Sequence, residues 1–209
     1  MEGGLRISNK AKKLRSTDSF LQWSQWQLLD SILPTGGFAH SSGLEAAIQA
    51  RIVSGPEDLR TYVIHVLENT VARKASTAQG SALMRVAAAV FSEVPSLKMM
   101  RDTSLGTGNV SFHHAPIFGL ICGLLGLDNE TSQRAYMFIT MRDVISAATR
   151  LNLVGPLGAA VMQHQIALVA EEMSTKWMDR KVEEACQTAP LLDTVQGCHG
   201  YLFSKLFCS

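Results

Sequence analysis

Residues 30–45 read DSILPTGGFAHSSGLE and form the most distinctive stretch of the 209-residue sequence. A leucine-proline pair ends the regular structure before it, because the residue preceding a proline is driven out of the helical region. Gly36 and Gly37 then permit backbone angles that other residues avoid, and the serine pair that follows can cap a helix starting near Gly43. The stretch predicts a rigid bend between two helices, which we call the glycine corner (residues 36–45).

On either side of the corner, apolar residues recur at spacings of three and four, as they do in amphipathic helices. No segment shows the alternation of a half-buried strand, so the sequence predicts an all-α fold. The predicted helices cover 20–32, 43–52, 57–91, a helix opening at 113, 130–152 and 156–187, with a last turn at 191–197. Residues 95–112 combine proline, glycine, serine and asparagine and predict a loop.

Composition and charge indicate a folded protein without a nucleic-acid surface. Hydrophobic residues make up 46% of the chain and charged residues 18%, which is typical of globular domains. Residues 1–19 carry a net charge of about +3 and the remainder about −2, so the body offers no broad positive patch. We therefore expect a flexible basic extension over residues 1–19. Residues 20–209 are predicted to form one compact helical domain that ends in a partner-binding tail.

The cysteines and the basic N-terminal residues indicate the cellular compartment of the protein. The cysteines lack Cys-x-x-Cys spacing, and no uncharged run is suited to crossing a bilayer. A basic start without an apolar core is not a secretory signal. The prediction is a cytoplasmic protein with reduced thiols.

The common sequence signatures of catalysis are absent. There is no Gly-x4-Gly-Lys-Ser/Thr phosphate loop, no His-Glu-x2-His or Cys-x2-Cys zinc motif, and no Gly-x-Ser-x-Gly nucleophile turn. The sequence therefore predicts neither an enzyme nor a bound cofactor. One alternative stays open, a small helical hydrolase that uses His40 with Ser41 and Glu45.

No metal site is predicted, although imidazole and thiolate are common ligands of nickel and zinc. An alternative metal site would be drawn from His113, His114, Cys198 and His199. Adjacent side chains do not aim readily at one ion, so His113 and His114 are interpreted as capping or lining a helix start. His164 lies among apolar residues at helical spacing and is interpreted as a hydrogen-bonded core histidine.

The end of the chain is unusually apolar. Five large apolar residues fall within seven positions, namely Tyr201, Leu202, Phe203, Leu206 and Phe207. Chain ends are normally polar and frayed. The C-terminal tail (residues 201–209) therefore either docks on its own domain or inserts into a groove of a partner protein, and the second interpretation is favoured.

A further candidate contact surface lies on the predicted helix 130–152. Arg142, Ser146 and Arg150 recur at a spacing of four and share one helix face. Such a stripe is either a solvated surface or an anchor for carboxylates at a protein interface, and both interpretations stay open.

Several blocks of the sequence resemble the UreF family of urease accessory proteins, and the residues in these blocks are most similar to those of plant members. The first block is the corner motif within residues 30–45. The others are Arg73-x-Ala75-Ser76-x2-Gln79-Gly80-x-Ala82-Leu83, His113-His114-Ala115-Pro116-Ile117-Phe118-Gly119, Ser146-Ala147-Ala148-x-Arg150-Leu151 with Gly155-Pro156, and Lys205-Leu206-Phe207-x-Ser209.

The resemblance implies an all-helical, non-enzymatic adaptor, usually a homodimer, that acts as a chaperone in assembling the nickel centre of urease. Its implied partners are UreD (also called UreH), the GTPase UreG and the urease apoprotein. A direct nickel-binding carrier is the alternative. The implied partner-binding residues are Gly36, Gly37, Phe38, His40, Glu45, Arg142, Arg150, Tyr201, Leu202, Phe203, Lys205, Leu206 and Phe207.

The sequence departs from the family pattern at three places. Family members carry a few dozen more residues between Leu67 and Arg73, so this chain is predicted to lack an internal helical segment near residues 68–73. The long helical run 57–91 then either breaks near Asn69 or joins two helices directly. Loss of a packing segment would expose apolar surface and could yield an inactive shortened isoform. The other departures are Ser42 at an often aromatic position and Lys205 in place of arginine.

Overall fold

A computed structural model of the chain describes residue 21 and residues 23–68, 73–107, 111–184 and 189–208. Within these ranges the chain forms helices and turns and no strand, which confirms the predicted all-α fold. The helices are α1 (23–29), α2 (Leu44–Gln49), α3 (Pro56–Glu68), α4 (Arg73–Val90), α5 (Pro95–Thr107), α6 (His114–Leu124), α7 (Asn129–Arg150), α8 (Pro156–Trp177) and α9 (Pro190–Cys198). Short 3-10 turns cover Gly37–Ala39, Val182–Glu184 and His199–Tyr201.

Helix α7 lies at the centre and spans two hydrophobic cores. Its C-terminal half packs with α2, α3, α8 and α9 around a first core that includes Leu44, Leu59 and Ile166. Its N-terminal half packs with α4 and α6 around a second core that includes Phe91 and Phe118. Each of these side chains is almost fully buried, and burial of such a side chain contributes about 1.5–3 kcal/mol. The chain passes from the first core to the second between α3 and α4.

Local sequence accounts for most helix starts. Pro56 and Pro156 occupy the first positions of α3 and α8, where the missing N–H is not needed. Helix α7 is capped by Asp128, whose Oδ1 accepts a 2.7 Å hydrogen bond from the backbone N–H of Thr131. The prediction of an Asn129 cap was wrong by one residue, because Asp128 has the extended backbone that a cap requires.

The predicted loop over residues 95–112 was wrong for Pro95–Thr107, which form helix α5, while residues 111–112 are not helical and residues 108–110 lie outside the described residues. Pro95 starts the helix, and the fully buried side chain of Leu97 anchors it in the second core. Lys98, Asp102 and Thr103 on this helix are exposed, so a composition typical of loops belongs here to an amphipathic helix with a narrow apolar face.

Other predicted boundaries change as well. The run 57–91 is divided into α3, ending at Glu68, and α4, starting at Arg73. Helix α8 ends at Trp177 and not near residue 187, and a separate 3-10 turn follows in which the Glu184 carboxylate accepts from the N–H of Lys181 at 2.9 Å. The predicted basic extension and the junction 69–72 lie outside the described residues.

Several large side chains of the described ranges face solvent. Trp23 and Trp26 contact each other edge-on, with 4.9 Å between ring centroids, and both are exposed. The interpretation of His164 as a core histidine was wrong, since His164 is exposed. It lies on one face of α8 with Leu157, Val161 and Leu168, all of which are exposed. None of the helices in the described ranges combines the length and apolar character needed to cross a bilayer.

Candidate functional site: the glycine corner and the C-terminal tail

The glycine corner is shaped by close contacts that exclude larger residues. Gly36 has φ of +82°, and Gly43 has φ of +85°, values that favour glycine. A Cβ atom on Gly37 would lie 2.3 Å from Oδ2 of Asp143 on α7, so a larger residue there would displace the Asp143 carboxylate. A Cβ atom on Gly43 would lie 2.7 Å from the side chain of Gln196 on α9. The corner is therefore held against α7 and α9 and presents a defined shape.

The C-terminal tail folds back onto this corner through its backbone. The carboxylate of Glu45, which is buried, accepts hydrogen bonds from the N–H of Leu206 at 2.6 Å and from the N–H of Phe207 at 3.1 Å. The N–H of Cys208 donates to the carbonyl of Ala39 at 2.7 Å. The two segments that the sequence singled out separately thus form one structural unit. Glu45 has a structural part in it, as the acceptor that binds the tail.

Phe207 is the side-chain anchor of the tail. It is only 4% exposed and lies in the first core. The guanidinium of Arg150 lies 4.3 Å from the centre of its ring, within cation–π range, and also donates to the carbonyl of Phe38. His199 Nε2 donates to the carbonyl of Phe207 at 3.1 Å. Nδ1 of the same ring is buried and has no hydrogen-bond partner in the described part of the chain.

Arg142 braces the corner from the other side. It donates to the carbonyl of Leu29 at 2.6 Å and pairs with the neighbouring Asp143 at 2.8 Å. Burial raises the pKa of Asp143, while Arg142, Arg150 and His40 act in the opposite direction. Both arginines of the predicted stripe therefore bind groups of their own chain around the corner.

His40 lies at the inner side of the corner and is partly buried. Burial lowers the pKa of His40, although the nearby Asp143 raises it in part, and His199 lowers it further. His40 is thus held towards its neutral form beside a buried carboxyl group, which suits a residue that shapes the corner.

Sequence reasoning missed Asp143, Gln196 and Tyr62, which hold the corner from outside. The hydroxyl of Tyr62 donates to the carbonyl of Ser42 at 2.8 Å, and Gln196 Nε2 donates to the same oxygen at 3.2 Å. Of the three, only Asp143 could have been noticed in the sequence, because it is an acidic residue next to Arg142. The other two come from distant helices, and nothing local marks them.

The assembled unit leaves an apolar surface facing solvent. Phe38, Tyr201, Phe203 and Leu206 are at least 61% exposed, and Tyr201 and Phe203 are almost entirely so. Leu202 packs against the first core. Lys205 is exposed, and its Nζ donates to the carbonyl of Gly200 at 3.1 Å. The two interpretations of the tail are thus compatible, since two of its side chains dock on the domain and three point outwards. We call the exposed set of Phe38, Tyr201, Phe203 and Leu206 the apolar surface.

The histidines considered as metal ligands have structural contacts. Ser76 Oγ lies 3.2 Å from His113 Nδ1 and accepts from the backbone N–H of His114 at 3.2 Å. Burial, assisted by the charge of His40, lowers the pKa of His114 to about 4. The alternative candidates at the end of α9 and in the turn after it differ in access, since Cys198 is exposed and His199 is buried. In the described ranges, no three His, Cys, Asp or Glu residues are grouped so that they could hold a metal ion.

Comparisons with known proteins agree with the motifs. The sequence model of the UreF family matches residues 14–167. The chain is 64% identical to the urease accessory protein F of Arabidopsis thaliana, over 91% of this chain and 94% of that protein. It is 61% identical to the protein of the same name from Oryza sativa subsp. indica, over 90% of this chain and 85% of that protein. It is 25% identical to the urease accessory protein UreF of Trichodesmium erythraeum, over 93% and 99% of the two chains.

The alignments also contain positions that have no counterpart here. The Arabidopsis alignment runs over 225 positions, whereas 91% of 209 residues is about 190 residues, so about 35 positions pair with no residue of this chain. The rice alignment runs over 221 positions with 90% of this chain, which leaves about 33. The relatives thus carry additional residues inside the matched region, as the family resemblance implied.

Proposed function

This chain belongs to the UreF family of urease accessory proteins, and from that premise we propose that it is a non-catalytic adaptor for nickel insertion into urease. A role in urease maturation follows from the family itself. The finer proposal is that the chain holds UreD (also called UreH) and the GTPase UreG together on the urease apoprotein. It acts by shape and contact and performs no covalent chemistry.

One observation supports this proposal most strongly: the tail is fixed on the glycine corner and yet exposes large apolar side chains. Tyr201 and Phe203 are almost fully exposed, while the backbone beside them is held by Glu45. Aromatic side chains dominate the binding energy of many protein interfaces. A backbone that is already ordered reduces the entropy lost on binding. The apolar surface therefore has the properties of a preformed docking site, which we assign to UreD.

The arginines take a positioning part in this proposal. Arg142 and Arg150 were open to two interpretations, a solvated surface or an anchor for partner carboxylates. Their described contacts are with Asp143, Leu29, Phe38 and Phe207. We assign them to holding the corner and the tail in register, so that the apolar surface keeps its shape.

The test is a double substitution, Tyr201→Ala with Phe203→Ala, measured by quantitative co-purification with UreD. Truncation of an interface anchor costs about 2 kcal/mol or more, so we expect binding to weaken at least about thirtyfold. Helical circular dichroism should not change, because both side chains are exposed. Met99→Ala is the matched control, since Met99 is 65% exposed on α5, away from the tail. Undiminished UreD binding by the double variant would refute the assignment of the apolar surface.

We further propose that two copies of the chain pair in the cytoplasm through α8. Leu157, Val161 and Leu168 are exposed at helical spacing on this helix, and such a face is typical of helix–helix contacts between subunits. Light scattering should give the mass of a dimer for the parent chain and of a monomer for Leu168→Glu. A monomeric parent chain would contradict this part of the proposal.

A second candidate is favoured by the alignment, namely that this form is inactive because it lacks about 35 positions found in its relatives. Complementation of urease activity in cells without the full-length protein separates the two. Restored activity supports the adaptor, and no restoration despite normal expression supports the inactive isoform. The same purified chain can be titrated with nickel by calorimetry. Binding tighter than about 1 µM would favour the carrier alternative.

A further inference from the structure

A large cavity lies between α6, α7 and α8. Its volume is about 700 Å3. Its apolar lining comes from Phe118, Tyr136, Met137, Met173 and Trp177. Gly119, Asn129 and Trp177 also line it and are exposed, so this is a groove open to solvent. An apolar groove of this size with aromatic walls is typical of a docking site.

Ser174 gives a second and independent sign of an absent group. Its side chain lines the cavity and is only 3% exposed. Its hydroxyl oxygen has no hydrogen-bond partner among the residues that the structure describes. An unsatisfied buried hydroxyl costs about 1–3 kcal/mol, so native structures rarely keep one without a ligand or a packing partner.

The end of α3 lies at the cavity and directly precedes residues 69–72, where this chain is predicted to lack a segment. Leu67, in the last turn of α3, lines the cavity. Only residues 69–72 separate α3, in the first core, from α4, in the second. The neighbouring connection from α6 to α7 is a tight turn in which the N–H of Leu127 donates to the carbonyl of Cys122 at 2.9 Å. An insertion is therefore accommodated more readily after α3 than between α6 and α7.

We propose that the cavity is the seat of a helical segment that the relatives carry between α3 and α4. In this chain the seat is an open groove that binds such a segment in trans. About 35 additional positions are enough for a helix with its connections. The apolar walls fit one face of an amphipathic helix, and its polar side chains can reach Ser174 Oγ. Lys176, Arg180 and Lys181 line the groove as well, and Glu184 there pairs with Arg180 at 2.9 Å. The two remaining positive charges favour acidic residues along the flank of the bound helix.

The direct test uses a fluorescein-labelled peptide that contains the residues of the Arabidopsis protein with no counterpart in this chain. Fluorescence anisotropy with the full chain should give a Kd of about 10 µM or tighter. Gly119→Leu should weaken binding at least tenfold, because Gly119 lines the cavity and a Cβ atom there meets no other atom within 4 Å. Gly123→Leu is the matched control on the same helix, since Gly123 also has free space but does not line the cavity.

A second measurement, with the segment inserted into the chain itself, distinguishes weakened binding from a variant that fails to fold. The same residues inserted between Glu68 and Arg73 should raise the urea midpoint of the parent chain but not that of Gly119→Leu. A glycine-serine insertion of equal length should raise neither. Absence of peptide binding at 100 µM overturns the proposal, and so does equal binding by the two glycine variants. An insertion that stabilises the parent chain no more than the glycine-serine segment overturns it too.

Discussion

Removal of the Glu45 carboxylate is expected to release the C-terminal tail. Glu45 is buried and accepts from the N–H groups of Leu206 at 2.6 Å and Phe207 at 3.1 Å. A hydrogen bond to a charged group contributes about 1.5–3 kcal/mol. The lower value applies here because Leu206 is exposed, so the pair contributes about 3 kcal/mol. Glu45→Ala should therefore raise the open fraction of the tail about 100-fold.

The assay is amide hydrogen exchange of the C-terminal peptide, read by mass spectrometry. Glu45→Ala should speed exchange at Leu206 and Phe207 about 100-fold, and Glu45→Gln should give a smaller increase because one acceptor oxygen remains. Glu93→Gln, at an exposed acid in the turn before α5, is the control and should leave exchange unchanged. Equal tail protection in Glu45→Ala and in the parent chain would refute the reasoning.

Two further outcomes follow from the contacts of α6. Gly80→Ala should lower the free energy of unfolding by about 1–3 kcal/mol, because its Cβ would lie 2.2 Å from the carbonyl oxygen of Phe112. Gly123→Ala, where a Cβ has free space, should raise the free energy of unfolding by about 0.5–1 kcal/mol. Equal urea midpoints for the two variants would contradict the close approach of α4 and α6. His114 has a folded pKa of about 4 against an ordinary value of 6.5, so the unfolded chain takes up the proton first as the pH falls. Its contribution to stability, complete above pH 6.5, should therefore fall by about 2 kcal/mol between pH 7.5 and pH 5, and an unchanged pH slope in His114→Gln would exclude this assignment.

Local sequence was a reliable guide where the structure depends on local geometry. The bend at Gly36 and Gly37 and the proline-led starts of α3 and α8 all lie where the sequence predicted them. These features depend on backbone angles and on unpaired N–H groups, which a residue and its near neighbours determine.

Prediction failed where burial decided the outcome. Residues 95–112 were predicted as a loop because they combine proline, glycine, serine and asparagine, and only the packing of Leu97 in the second core reveals the inner face of helix α5. His164 was placed in the core because its neighbours on α8 are apolar, yet this face is exposed. Periodicity shows that a helix has an apolar face but not which element, if any, covers it.

The amino-acid sequence by itself determined the helical class, the shape of the corner and the membership of the UreF family, since these depend on residue types and spacings along the chain. Tertiary structure alone decided that the tail lies on the corner. The acceptor at Glu45 and the N–H groups of Leu206 and Phe207 are about 160 positions apart in sequence. No local pattern joins backbone N–H groups to a carboxylate at that distance, because every residue except proline carries the same donor. Only the packing of α2, α7 and α9 brings them together.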